Sequence, residues 1–205
     1  MPILGYNTKG ASNIGTSGGR KYVSKFTLAS ASTLTELHGW FTGTGATIQL
    51  VIYADSGGLP GARLAFTSPL TPTGADIELS QTGLSVALAA GTYWIGWASQ
   101  NAGTVSAYYD DPGGPAAHQA QSSGAAYNPP SDPFGTPNAS GTRNFSCWAV
   151  VTTTPTTTVG RFSRLKLKAP LVGTDVGGGV LEIDVGYPSY AALKAGVTSY
   201  ADILA

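Results

Sequence analysis

The feature that most constrains this chain is the punctuation of its first 150 residues. Short alternating apolar segments are separated by clusters of Gly, Pro, Asn, Asp and Ser, and no helical periodicity appears before residue 188. In Arg20–Leu28, Tyr22, Phe26 and Leu28 fall on one face and Lys21, Lys25 and Thr27 on the other, the period-two pattern of a half-buried strand. Residues 33–41 carry Leu34, Leu37, Trp40 and Phe41, and the alternation slips near Gly39, where a bulge is expected. Ala46–Tyr53 is the clearest strand, with Ile48, Leu50 and Ile52 on one side. Further strands are expected near 62–66, 76–79, 84–88, 92–98, 103–109 and 144–151, with a short one near Ala125–Tyr127. Many short strands joined by turn clusters predict an antiparallel sandwich or barrel, and the lack of crossover helices argues against a parallel α/β sheet.

Composition agrees with that reading. The 205 residues include 28 Gly and 13 Pro, which suits many turns, and 42% hydrophobic residues, enough for a packed core. Only 11% are charged, against roughly 25% in an average soluble protein, so the surface falls to Thr, Ser, Gly, Asn and Gln. Eleven basic and eleven acidic residues cancel, which removes the electrostatic footprint of a nucleic-acid binder. Cys147 is the single cysteine, so neither an intrachain disulfide nor a multi-thiolate zinc site can form. It alternates with Phe145 and Ala149 and is expected to be a small buried hydrophobe. No apolar run reaches the roughly 18 residues of a membrane span. Met1–Tyr6 has neither a charged nor a long apolar region, so no export signal is expected. A secreted-type composition without such a signal fits a virion, or an extracellular protein whose signal has been removed.

Three segments are predicted. Residues 1–151 form the sandwich, 152–160 a Thr/Pro-rich linker, and 161–205 a docking or oligomerisation element. In the last, Arg164, Lys166 and Lys168 share one strand face, and Glu182 and Asp184 share another, which predicts a cross-strand charged hairpin. Ser189–Leu193 is echoed by Ser199–Ile203, each able to form a short capped helix. Hairpin and helix are too short to be stable alone, so both need a partner surface; Tyr190 and Tyr200 join the three cations as docking candidates.

Enzyme templates fail. The chain has no Walker loop, no His-Glu-x-x-His and no Gly-x-Ser-x-Gly elbow. His38 and His118 are the only histidines. A glycosidase would need two carboxylates flanking a sugar, and Glu36, Asp110, Asp111 and Asp132 are the candidates. Asp110-Asp111 before Pro-Gly-Gly reads more simply as a turn. No cofactor is expected; calcium, held by loop carboxylates and carbonyls, is the exception worth testing. The long stretch from Asp110 to Asn144 is the expected contact region, because loops of this length are uncommon unless functional. Tyr108, Tyr109, Asp110, Asp111 and Tyr127, in or beside it, are ligand-contact candidates together with Trp97. Trp94 and Trp97 lie on opposite faces of one strand, so at least one is core; Trp40 and Trp148 are also expected in the core.

Two segments carry a resemblance. Ile52-Tyr-Ala-Asp-Ser-Gly-Gly-Leu-Pro-Gly-Ala62 and Leu88-Ala-Ala-Gly-Thr-Tyr-Trp-Ile-Gly-Trp97 resemble paired signatures of jelly-roll domains of the carbohydrate-binding-module type, found in secreted bacterial surface proteins and phage structural proteins. The tail Tyr187–Leu204 is similar to short Tyr-Ala-x-Leu repeats of phage minor tail proteins. The resemblance implies a mainly β, jelly-roll-like sandwich. Secreted-type composition without an export signal, the lack of catalytic residues and a C-terminal segment that needs a docking surface lead to the expectation of a tailed-phage structural component, of the tail or a capsid decoration. Other virion proteins or sister subunits would be its partners, and neither nucleic acid nor membrane insertion is expected. The alternative is a carbohydrate-binding module for attachment to surface glycans.

Overall fold

The computed structural model describes residues 1–15, 19–100, 105–113, 119–122 and 127–153. The chain divides into two compact units, Met1–Thr157 and Thr158–Ala205. The second unit, with the expected hairpin, the short helices and Arg164, Lys166, Lys168, Tyr190 and Tyr200, lies outside the described residues, as does His118.

The first unit is a β-sandwich, without helix among the described residues. Its strands are β1 (Ile3–Gly5), β2 (Ser12–Gly15), β3 (Lys21–Leu28), β4 (Ser32–Gly43), β5 (Ile48–Ser56), β6 (Leu59–Phe66), β7 (Gly74–Gln81), β8 (Val86–Leu88), β9 (Gly91–Ser99), β10 (Ser106–Asp110), β11 (Gln119–Ser122), β12 (Ala139–Gly141), β13 (Asn144–Phe145) and β14 (Cys147–Thr153). Sheet A runs β1-β14-β4-β10-β13, with β2 on β10 and with β7 and β8 on β4. Sheet B runs β12-β11-β3-β9-β5-β6. All these pairings are antiparallel.

Alternation fills the space between the sheets. Sheet B contributes Tyr22, Leu28, Ile48, Leu50, Ile52, Tyr93, Ile95 and Trp97; sheet A contributes Leu34, Leu37, Phe41, Ala107, Phe145, Cys147, Ala149 and Val151. Burying one such large side chain contributes about 1.5–3 kcal/mol. Trp97 is the hub, with Tyr22 at 4.8 Å and both Phe41 and Phe145 edge-on at 6.3 Å.

The bulge of β4 is one turn of the pleat earlier than expected. Leu34 and Leu37, three apart, both reach the core, which requires an extra residue between them. The register against β14 shifts there, with Val150 opposite Glu36 and Val151 opposite Leu34. Gly39 continues the inward row instead; a Cβ there would lie 2.8 Å from Phe41 and 2.9 Å from Leu50. Of the strand expected at Ala125–Tyr127, residues 125 and 126 lie outside the described residues and Tyr127 lies in a turn; β11 comes earlier in the chain.

A strap covers the outer face of sheet B. Residues 127–138 cross from β11 to β6 and back: Asn138 N donates to Gln121 O (2.9 Å), Asn128 N to Gln49 Oε1 (3.0 Å), and Phe134 N to Gly61 O (2.9 Å). Phe134 seals a second apolar cluster with Val23, Val51, Tyr53, Trp94 and Ala120. The strap also occupies edge groups of β6, since Arg63 N donates to Asp132 Oδ1 (2.9 Å) and the Arg63 guanidinium to Pro130 O. Covered edges resist pairing with other chains.

This strap overturns one sequence expectation. Lys21 sits on the outward row of β3, yet it is 0% exposed. Its ammonium donates to Ser131 Oγ and to Phe134 O (2.6 Å) and lies 4.3 Å from the Phe134 ring centre. Desolvation, with the Arg63 charge nearby, pushes its pKa down to about 8.

Candidate functional site

The contact candidates do not form one site. Tyr108 and Asp110 share the outer face of sheet A, where both serve to fasten the N-terminal segment. Asp110 accepts from the Tyr6 hydroxyl and from Ala11 N (2.7 Å), and those bonds hold its carboxyl below the usual range. Tyr108 donates to Asp76, which Lys9 also holds at 2.7 Å. Tyr109 points the other way, packing edge-on against Phe145 at 6.0 Å under the Arg143 guanidinium. Asp111 accepts from Thr142 at the rim of a polar hollow of about 270 Å³ that also contains Gln121 and Arg143. Tyr127 belongs to the strap, where burial raises its pKa.

Trp97 is corrected outright: at 0% exposure, in the middle of the core, it can touch no ligand. Trp40 also departs from expectation: it faces outward from sheet A and is only half-buried. Trp148 is buried as expected, at 6% exposure, on the outer side of β14. Trp148 stacks on His38 with ring centres 5.0 Å apart, and Trp40 Nε1 donates to Asn7 O (3.4 Å). The His38 ring lies between two carboxylates, Glu36 Oε2 at 2.7 Å and Glu78 Oε1 at 2.8 Å. The cue in the sequence was the outward row Glu36, His38, Trp40; its partner on β7 could not be foreseen.

The carboxylates that a glycosidase would need are dispersed. Glu36 is held against His38, Asp110 by the N-terminal segment, and Asp132 by the β6 edge. Among the described residues, no group of three or more His, Cys, Asp or Glu converges to hold a metal. Cys147 is buried, and desolvation raises its pKa, so the thiolate needed for nucleophilic chemistry is suppressed.

Another hollow lies at the end of sheet B beyond the strap. It measures about 530 Å³, is open to solvent, and is lined by Lys25, Phe26, Thr27, Asp55, Gly58 and Thr92. Its placement follows from strand register: Lys25 is opposite Trp94, and Thr27 is opposite Thr92. Asp55, at the close of β5, accepts from Trp94 Nε1 (2.8 Å) and from Gly58 N (2.9 Å). Gly57 and Gly58, with φ of 64° and 88°, let the turn close around that carboxylate. Lys25 Nζ lies 5.3 Å from the Trp94 ring centre. The sequence marked the Asp55–Gly61 turn as turn chemistry and missed it as a wall of a hollow, because its other walls, Lys25–Thr27 and Thr92, come from strands remote in the chain.

No family model matches the chain, and no curated protein matches it. Among solved structures it is similar to a clostridial cysteine protease, Cwp84 C116A after propeptide cleavage, at 14% identity and a TM-score of 0.50, covering 75% of this chain and 40% of that one. It is also similar to a structure of the cysteine protease and lectin-like domains of Cwp84, a surface layer associated protein of Clostridium difficile, at 12% identity and a TM-score of 0.42, covering 66% and 36%. The chain thus spans well under half the length of either structure, and at this identity the likeness speaks only to a β-rich fold.

Proposed function

We propose that the chain is a non-catalytic structural component of a tailed-phage particle, of the tail or a capsid decoration. In this reading the sandwich stands on the particle surface, and the segment from Thr158 onward attaches to other virion proteins or sister subunits. One observation supports it: among the described residues, both apolar clusters of the sandwich are assembled from the strands and strap of the first unit. Among the described residues, the Glu36, Asp110 and Asp132 carboxylates also serve as internal braces. The phage link itself rests on the tail repeats and on the secreted-type composition.

The test is complementation of particle assembly. Full-length chain should be incorporated and labelled on the particle surface by antibodies against the sandwich, whereas residues 1–157 should fold and stay in solution. Equal incorporation of both would contradict the attachment role.

The second reading is attachment to surface glycans. A specific observation favours it: the open hollow at the end of sheet B is lined by hydroxyl, ammonium and carboxylate groups.

A further inference from the structure

On the outer face of sheet A and at the rim around Asp111, the polar side chains already have internal partners. In the former, Tyr108, Asp110 and His38 are each committed to internal partners. In the latter, Asp111 is held by Thr142 and Arg143 lies over Tyr109. The sheet B hollow differs, because its two charged groups are positioned but not neutralised. Among the described residues, neither Lys25 nor Asp55 forms an ion pair.

We propose that this hollow, formed by Lys25, Thr27, Asp55, Gly58 and Thr92, is a subsite for a neutral saccharide. The inference rests on the glycan-attachment reading and names its site. The Asp55 carboxylate is fixed by the Trp94 indole and the Gly58 amide, one donor on each oxygen. A carboxylate has about four acceptor positions, so two or so remain for hydroxyls, and a vicinal diol matches their spacing. The Lys25 ammonium donates from the facing strand, while Thr27 and Thr92 can donate or accept.

Charge selects among ligands. The carboxylate repels an anionic ligand such as a phosphate or an acidic sugar, and the ammonium repels a cation. A neutral polyol satisfies both at once. The hollow's size falls within the range of small-ligand sites, and its openness suits a unit within a chain rather than an engulfed molecule. Such a site is weak alone, on the order of 1 mM. Repetition of the chain on a particle would raise the avidity without further contacts.

The experiment uses the full-length chain, displayed in many copies on beads and applied to an array of neutral glucans, galactans, mannans and arabinans, with acidic glycans alongside. Binding to a neutral glycan is expected, with at least a tenfold loss in Lys25→Gln and in Asp55→Asn, and no loss in Tyr108→Ala on the opposite sheet. Lys25→Gln changes a side chain that braces no turn, so it remains informative should Asp55→Asn unfold; thermal melts distinguish the two cases. Neutral-glycan binding that survives both substitutions overturns this site and leaves the attachment reading standing. A folded chain that binds no neutral glycan, or only acidic ones, overturns the site, and complete absence of glycan binding overturns the attachment reading with it.

Discussion

The indole N–H of Trp94 donates to Asp55 Oδ1 across 2.8 Å, tying the β5–β6 turn to the middle of β9. The bond joins the two segments whose sequences pair in jelly-roll domains, and it gives that pairing a physical cause. Trp94 is 1% exposed, so its N–H would be stranded without the carboxylate. Asp55→Ala is therefore expected to cost about 1–3 kcal/mol, the usual penalty of a buried donor left unsatisfied. Trp94→Phe, which removes the donor as well, should show a smaller added loss in the Asp55→Ala background. Urea unfolding of the double-mutant cycle checks this, and strict additivity would deny the coupling.

Phe134 fixes the strap to sheet B, at 1% exposure and edge-on to Tyr53 at 5.2 Å. Phe134→Ala should lower stability by about 3–5 kcal/mol, as for other buried aromatic truncations. It should also release the strap locally. Hydrogen exchange is then expected to speed up at the Phe134, Asn128 and Arg63 amides more than in β3 or β9.

Lys21 sets a pH dependence whose sign is unusual for a lysine. Its pKa in the folded chain is about 8, against an ordinary 10.5, because burial disfavours the charged form. Below pH 8 both states carry the charge and the folded state bears the full penalty, on the order of 3 kcal/mol. Between about pH 8 and 10.5 the unfolded chain binds the extra proton, so stability rises with pH. Burial raises the Tyr53 pKa from 10.0, so above that pH the unfolded state ionises first and this group's contribution falls. Stability measured by denaturant titration across pH 7–10 should climb in the wild type and flatten in Lys21→Met.

Gly96 lies opposite Val23 in the β3–β9 pairing. A Cβ at Gly96 would meet Tyr22 O at 1.9 Å and Val23 Cα at 2.7 Å, both backbone atoms that cannot swing aside. Gly96→Ala should therefore cost about 3 kcal/mol or more, through forced separation of two central strands. Gly57→Ala, with open space around its Cβ, should cost less and act only through its positive φ. Paired thermal melts decide between the two.

The sequence made the strands of the sandwich legible because period-two burial writes itself into residues such as Ile48, Leu50 and Ile52. Strands β1 and β2 escaped notice, being only three and four residues long and bordered by Gly. What local pattern could not show is where remote segments dock. Lys21 reads as a solvent-facing lysine until a strap 110 residues later covers it. Trp40 reads as core until the bulge at Thr35–Glu36 is placed, since one inserted residue sends the rest of β4 to the opposite face. The long loop was singled out correctly as unusual, yet its described second half is a brace for sheet B. The sheet B hollow arises near the ends of three strands, a coincidence of register rather than of sequence.

The solution mass of the full-length chain and of residues 1–157, measured by light scattering, tests the account most directly. The account predicts a folded, monomeric sandwich for 1–157, with an unchanged melting temperature, and an oligomer for the full chain that is lost with residues 158–205. A truncated chain that unfolds, or a full-length chain that stays monomeric and joins no particle, would contradict it.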